Sequence, residues 1–141
     1  MTDRAADLAE GLQRYFQQQA PERVVAAYLY GSHAAGRAVR DSDVDVALLL
    51  EADTSPGEAF DVRVRVSSDL VGELHADDVD VLVLNEAPPL LAERVLREGK
   101  LVYCRDRSKL HAFAVDRLLR AADLRPFLER HEKTLLRSLA R

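Results

Sequence analysis

Apolar residues along the chain follow two spacings, which together predict four strands set among helices. Unbroken apolar runs predict buried strands over residues 24–30, 44–50, 79–84 and 101–104. Apolar residues three or four positions apart predict helices before Pro21, over about residues 59–75, between Pro89 and Gly99, and from Ser108 onward. Residues 62–66 also alternate like a strand, but the length of the apolar stripe favours the helix. In the tail, Pro126 is expected to end one helix and to start another.

The order of these elements indicates the fold class. Strands interleaved with helices are typical of an α/β (α+β) fold. The second strand begins too soon after the first for a parallel crossover containing a long helix. Along the second strand, Val44 and every second residue to Leu50 face one way, and Asp43 and every second residue to Leu49 face the other. We therefore expect a small mixed sheet flanked by helices rather than a doubly wound sheet.

Length, composition and charge limit the possible functions. The 141 residues suit one compact domain, and a hydrophobic content of 48% is sufficient for a core. The net charge of -4 argues against a broad nucleic-acid-binding face, so no direct nucleic-acid substrate is expected. No apolar run approaches the roughly 20 residues that span a bilayer, and no apolar signal-peptide core follows the first residues. Because Cys104 is the single cysteine, no internal disulfide forms, and we expect a cytoplasmic protein with no membrane partner.

A polar turn and a pair of carboxylates carry the candidate chemistry. Asp43 and Asp45 lie one residue apart at the start of the second strand, so their side chains project from one face of it. Neighbouring carboxylates repel each other unless a cation lies between them, and hard oxygen ligands suit Mg²⁺. Gly31 and Ser32, directly after the first strand, offer main-chain N–H groups that can bind phosphate. Metal and phosphate together indicate nucleotide chemistry.

A third carboxylate, Asp80, interrupts the apolar run of the third strand. A charge in such a run is costly unless it is paired or bound to a metal. If the third strand lies beside the second, Asp80 converges with Asp43 and Asp45, and three carboxylates suit two divalent ions. Asp80 is then placed to act as the base toward an incoming hydroxyl. Asp78 precedes the apolar run and is expected to face solvent.

The pattern Gly31-Ser32-x10-Asp43-x-Asp45 resembles the signature of the DNA polymerase β-like nucleotidyltransferase superfamily. The fuller run through residues 31–45 looks like the minimal nucleotidyltransferase (MNT) branch of that superfamily. Residues 79–84 resemble the strand that carries the third carboxylate of the branch. The resemblance covers residues 1–105 and shows no departure at the Gly-Ser turn or at the three carboxylates, so an intact active site is expected.

The resemblance implies a role for each site residue. Gly31 and Ser32 are expected to contact the triphosphate of ATP. The metal ligands, which together hold two Mg²⁺ ions, are then Asp43, Asp45 and Asp80. Arg37 and Ser42 are further candidates for the nucleotide phosphates, although Arg37 is equally compatible with a solvated surface residue and Ser42 with a cap of the turn.

Small MNT proteins are typically paired with HEPN-domain RNase toxins in toxin–antitoxin modules. The resemblance therefore implies a catalytic domain over residues 1–105 and a helical extension over residues 106–141, packed on the domain or on a partner. It also implies transfer of AMP from ATP to a tyrosine hydroxyl of a HEPN toxin, which silences the toxin within a hetero-oligomer. Two alternatives remain: an antitoxin that neutralises by binding alone, and a nucleotidyltransferase acting on an aminoglycoside-like small molecule.

Overall fold

Four strands and four helices make up the part of the chain that the computed structural model describes, residues 4–31 and 44–139. A single 3-10 turn, Leu84–Glu86, joins the third strand to the third helix. In chain order the elements are α1 (Arg4–Gln19), β1 (Val24–Tyr30), β2 (Val44–Leu50), α2 (Pro56–Leu74), β3 (Val79–Val83), α3 (Pro89–Glu98), β4 (Lys100–Cys104) and α4 (Arg107–Leu139).

The four strands form one mixed sheet in the order β3-β2-β1-β4. β1 pairs antiparallel with both β2 and β4, whereas β2 and β3 run parallel. The predicted mixed sheet is confirmed, and so is the pairing of the third strand with the second. β3 and β4 are the two edges of the sheet in the described part of the chain.

Helices cover both faces of this sheet. On one face, α1 and α2 bury apolar residues such as Phe16 and Leu70 against Val46 and Leu48 of β2. On the other face, α3 and the first half of α4 pack over Ala47 and Leu49. The alternation predicted for the second strand is therefore confirmed over Val44–Leu50. Over residues 4–31 and 44–139, no helix has both the length and the apolar character that crossing a bilayer requires.

Local capping explains why α2 is a helix despite the strand-like alternation within it. Ser55 accepts a hydrogen bond from the N–H of Glu58, and the Glu58 carboxylate accepts one from the N–H of Ser55. Pro56 follows as the first helical residue, a position at which its missing N–H has no cost. Helix α2 therefore begins three residues before the predicted start and ends at Leu74.

The predicted break at Pro126 is wrong, because α4 continues through it. Proline leaves the C=O of Ala122 without its helical N–H donor. Residues 122–130 are exposed, so water can hydrate that carbonyl. Just before the proline, Arg125 forms an ion pair with the buried Glu93 of α3, which holds α4 on its neighbour. The helix tolerates the proline because the Arg125–Glu93 ion pair holds it on α3 and because water hydrates the free carbonyl of Ala122.

Candidate active site

Neighbouring strands bring two of the three predicted carboxylates together. Asp45 of β2 and Asp80 of β3 are direct partners in the parallel register. Adjacent strands are about 4.8 Å apart, and partners in register point to the same face. The carboxylates therefore lie side by side on the face that α3 and α4 cover, at the end of the sheet where β2 begins.

Gly31 passes so close to Asp45 that no side chain fits at its position. Its φ of +76° lies in the left-handed region that favours glycine. A Cβ atom at Gly31 would lie 2.5 Å from Oδ2 of Asp45 and 3.3 Å from its Cγ. The main chain leaving β1 thus runs directly against the Asp45 carboxylate. This contact brings the predicted phosphate-binding turn next to a predicted metal ligand.

Tyr30, which sequence reasoning missed, lies on the β1 side of Asp45, opposite Asp80. It is the antiparallel register partner of Asp45 and is half-buried. Burial raises the pKa of the Tyr30 phenol, and the charges of Asp45 and Asp80 raise it further. The only sequence signal for Tyr30 is its place at the end of β1, directly before Gly31. The side chains of Tyr30, Asp45 and Asp80 therefore form a row across three strands.

The pair of carboxylates is accessible and chemically suited to a hard divalent cation. Asp80 is exposed and Asp45 is half-buried. Carboxylate oxygens are the ligands that Mg²⁺ prefers, and the register of β2 and β3 supplies two carboxylates side by side. Within residues 4–31 and 44–139, no group of three or more His, Cys, Asp or Glu side chains could hold a metal ion. The remaining predicted site residues, Ser32, Arg37, Ser42 and Asp43, lie outside the described residues.

Asn85 is a second residue that the sequence did not single out. Its side-chain oxygen accepts a hydrogen bond from the Leu50 N–H, and its side-chain nitrogen donates to the Leu50 C=O, both at 2.9 Å. This pair of bonds continues the pairing with β2 beyond the end of β3. Asn85 therefore helps to fix the register that aligns Asp45 with Asp80. Asp78 is exposed, as predicted.

Comparison with protein families assigns the chain to a known group. The family described as polymerase beta, nucleotidyltransferase matches residues 10–108, which span all four strands. The chain belongs to this nucleotidyltransferase family. The match includes every residue of the predicted site, from Gly31 to Asp80.

One curated relative of this nucleotidyltransferase is the protein adenylyltransferase MntA of Shewanella oneidensis. The two are 36% identical over 76 residues, which are 54% of this chain and 51% of MntA. The chain therefore matches about half the length of this relative. The identity is high enough to support common ancestry over the matched segment, and it leaves the remainder of both proteins uncompared.

Two solved structures share the fold over nearly the whole chain. A toxin–antitoxin complex with AMP-PNP contains a chain with a TM-score of 0.66 at 23% identity, covering 94% of this chain and 98% of that one. A complex of a tri-AMPylated Shewanella oneidensis HEPN toxin with its MNT antitoxin contains a chain with a TM-score of 0.62 at 21% identity, covering 96% and 98%. At these identities the likeness shows the fold, including the long C-terminal helix.

Proposed function

We propose that this nucleotidyltransferase is an antitoxin that transfers AMP from ATP to a tyrosine hydroxyl of a cognate HEPN RNase toxin, in a Mg²⁺-dependent reaction. The observation that carries the proposal is the alignment of Asp45 with Asp80, with the main chain of Gly31 against Asp45. Paired carboxylates beside a phosphate-binding turn are the arrangement that metal-assisted nucleotidyl transfer requires.

Each site residue has a defined task in this reaction. Gly31 and Ser32 bind the triphosphate, with Arg37 and Ser42 as further phosphate contacts. Asp43, Asp45 and Asp80 would hold two Mg²⁺ ions, whose positive charge would stabilise the phosphates and acidify the acceptor hydroxyl. The acceptor oxygen attacks the α-phosphorus, the bond to the bridging oxygen breaks, and pyrophosphate leaves. Asp80 receives the hydroxyl proton.

The names of the related proteins support this substrate assignment. MntA, the relative from Shewanella oneidensis, is a protein adenylyltransferase. Complexes that share the fold contain AMP-PNP in one case and a tri-AMPylated HEPN toxin in another. An ATP donor and a protein acceptor are consistent with the site, since the phosphate-binding turn and the exposed Asp80 lie on opposite sides of Asp45.

We further propose that the C-terminal helix binds the toxin. Residues 1–105 form the catalytic domain in this proposal, and residues 106–141 form the extension. The first half of α4 packs on the domain through Leu110 and Ala121, which are buried. Beyond it, three apolar side chains lie on one side of the helix and are exposed, and we call them the tail stripe: Leu124, Phe127 and Leu128. An exposed apolar stripe on a helix is suited to pack against a helical partner.

Intact mass spectrometry of the toxin tests the activity. The protein encoded by the adjacent reading frame is incubated with ATP, Mg²⁺ and either this chain or its Asp45→Asn variant. We expect AMP-sized mass increments with the wild type and a loss of about a hundredfold or more in rate with Asp45→Asn, because one metal ligand is removed. Asp61→Asn is the matched control: it makes the same substitution at an exposed position of α2, on the opposite face of the sheet.

The same experiment separates the two alternatives. If Asp45→Asn still neutralises the toxin and the wild type adds no AMP, the protein acts by binding alone. If the wild type adds AMP to an aminoglycoside and leaves the protein unchanged, it is a small-molecule enzyme. Near-normal transfer by Asp45→Asn would show that the assigned site is not the catalytic one.

A further inference from the structure

A groove runs between the outer edge of β3 and α2, immediately beside the candidate active site. Its volume is about 370 Å³, and we call it the edge groove. One wall is formed by Val79–Val81 of β3 and by Asp78, the residue before the strand. The other wall is formed by four residues of α2: Arg63, Val64, Ser67 and Ser68. Asp80 lines the groove at the strand edge, while its side chain lies beside Asp45 on the other face of the sheet, so the groove adjoins the carboxylate pair across the edge of β3.

Main-chain groups of β3 point into this groove. Asp78 accepts a hydrogen bond from the N–H of Val44 in β2, so the main chain of Asp78 faces inward. The C=O of Val79 instead accepts a hydrogen bond of 2.8 Å from the Ser67 hydroxyl on α2. The main chain of Val79 therefore faces outward, away from β2. Since the direction alternates along a strand, the N–H and C=O of Val81 also face outward, away from β2. The edge is therefore able to pair with another strand at Val81.

The position of Gly31 determines the side from which the acceptor arrives. The phosphate-binding turn approaches Asp45 from β1, where a Cβ on Gly31 would clash with the carboxylate. In-line attack needs the acceptor on the other side of the α-phosphorus, which is the side of Asp80 and β3. Beyond β3, within the described residues, the sheet has no further strand. The edge groove lies on this side of the carboxylate pair and is open to an acceptor segment.

The surface around the groove indicates the chemistry of the occupant. Val64 is 47% exposed on the α2 wall, and Phe60, one turn earlier, is 56% exposed with Arg63 over its ring. At the start of β3, Asp77 and Asp78 are exposed. The groove thus offers one exposed apolar side chain, Val64, on an otherwise polar wall, together with outward main-chain groups and an acidic end. These suit an extended peptide that carries an apolar or aromatic side chain next to a basic one.

We propose that the edge groove binds the acceptor segment of the toxin as an added strand, with a basic residue near Asp78 and the acceptor hydroxyl at Asp80. This inference rests on the proposed AMP transfer and specifies how its substrate is recognised. The groove is a substrate-binding surface and is distinct from the tail stripe on α4. Main-chain pairing at Val81 supplies affinity, and the walls and the acidic end select the segment.

Two measurements on the full chain test the groove. Ser68→Trp fills it from an exposed position of α2, and Asp61→Trp places the same side chain on the same helix outside the groove. With the adjacent-gene protein as acceptor, we expect Ser68→Trp to raise KM for the acceptor about tenfold or more and to leave the Kd for ATP unchanged. Asp61→Trp is expected to match the wild type in both quantities.

Amide exchange in the complex provides the second measurement. Strand addition slows exchange of the Val81 N–H by about a hundredfold, whereas the Leu82 N–H, already bonded toward β2, changes little. Equal slowing of both amides, or of neither, would refute the added strand. An unchanged KM in Ser68→Trp would refute the groove as the acceptor site while leaving AMP transfer intact. Absence of AMP transfer by the wild type would instead refute the proposed function.

Discussion

At the scale of single residues, Gly31 is the position where the site tolerates least change. Alanine there must adopt a left-handed conformation, which costs about 1–2 kcal/mol. Its methyl group would also displace the Asp45 carboxylate, since the two would be 2.5 Å apart. We expect Gly31→Ala to lower the free energy of unfolding by about that amount and to abolish AMP transfer. Urea denaturation and the mass assay measure the two effects separately.

Gly72 is the matched control for that substitution. It lies within α2, and a Cβ there would meet nothing within 4 Å. Alanine is favoured over glycine inside a helix by about 0.5–1 kcal/mol, so Gly72→Ala should increase stability and leave transfer unchanged. If Gly31→Ala retained full transfer, the turn at Gly31 would not hold the phosphates against Asp45. Other hydrogen-bond donors would then have to bind the phosphates.

Residue-level reasoning from sequence succeeds where side chains alternate along one strand. The period of two, together with the assumption that the second and third strands are neighbours, was sufficient to predict that Asp45 and Asp80 converge. Tyr30 and Asn85 were missed because their roles depend on register. Only the pairing of Tyr30 with Asp45 and of Asn85 with Leu50 reveals them, and register between distant segments is not encoded in any local pattern.

At the scale of elements, a partly buried hydrogen bond joins α1 to α2. The Tyr15 hydroxyl, on a residue only 2% exposed, donates to the Asp69 carboxylate at 2.7 Å. Hydrogen bonds to charged groups contribute about 1.5–3 kcal/mol. Tyr15→Phe should therefore destabilise the chain by about 1–2 kcal/mol at neutral pH, since Asp69 is partly exposed and regains water. Tyr103→Phe is the control, because the Tyr103 ring keeps its stacking on Phe16.

The same bond predicts how stability depends on alkaline pH. Burial raises the pKa of Tyr15, and the hydrogen bond and charge of Asp69 raise it further. A raised pKa in the folded state means that the folded protein keeps the proton longer than the unfolded chain does. The contribution is therefore complete below the ordinary phenol pKa of about 10 and decreases as pH rises above it. Thermal melts between pH 9 and pH 11 should decline less steeply for Tyr15→Phe; parallel curves would contradict this.

The ends of strands and helices were predicted most accurately where one strong sequence signal marks each end. Strands β1 and β2 have the predicted limits, because Gly31 and the turn residues around them interrupt the apolar runs. The tail was the exception. Proline usually ends a helix, but α4 continues through Pro126. The ion pair between Arg125 and Glu93 of α3, and the exposure of this part of α4 to water, compensate for the one lost hydrogen bond. Such compensation depends on tertiary neighbours, which the sequence pattern does not specify.

At the scale of the whole molecule, the sheet separates three surfaces. The proposed phosphate-binding turn follows β1, the edge groove is at β3, and the tail stripe is on the far half of α4. A toxin bound through the tail stripe would be held while its acceptor segment reaches the edge groove. Substitutions in the tail stripe should therefore weaken toxin binding without lowering the rate at saturating toxin, whereas substitutions in the edge groove should impair engagement of the acceptor segment.

Phe127 tests this separation, since it is 50% exposed and lies at the centre of the tail stripe. Phe127→Arg should weaken the complex with the adjacent-gene protein by about tenfold or more, with stability of this chain changed by less than about 0.5 kcal/mol. Glu129→Arg adds the same side chain at an exposed position on the opposite side of α4 and should bind normally. Calorimetry gives the affinities, and the mass assay at saturating toxin gives the rate.

A normal rate of transfer combined with weak binding would indicate that α4 docks the toxin separately from the edge groove. Unchanged affinity in Phe127→Arg would mean that α4 serves only the fold and that the toxin is held elsewhere.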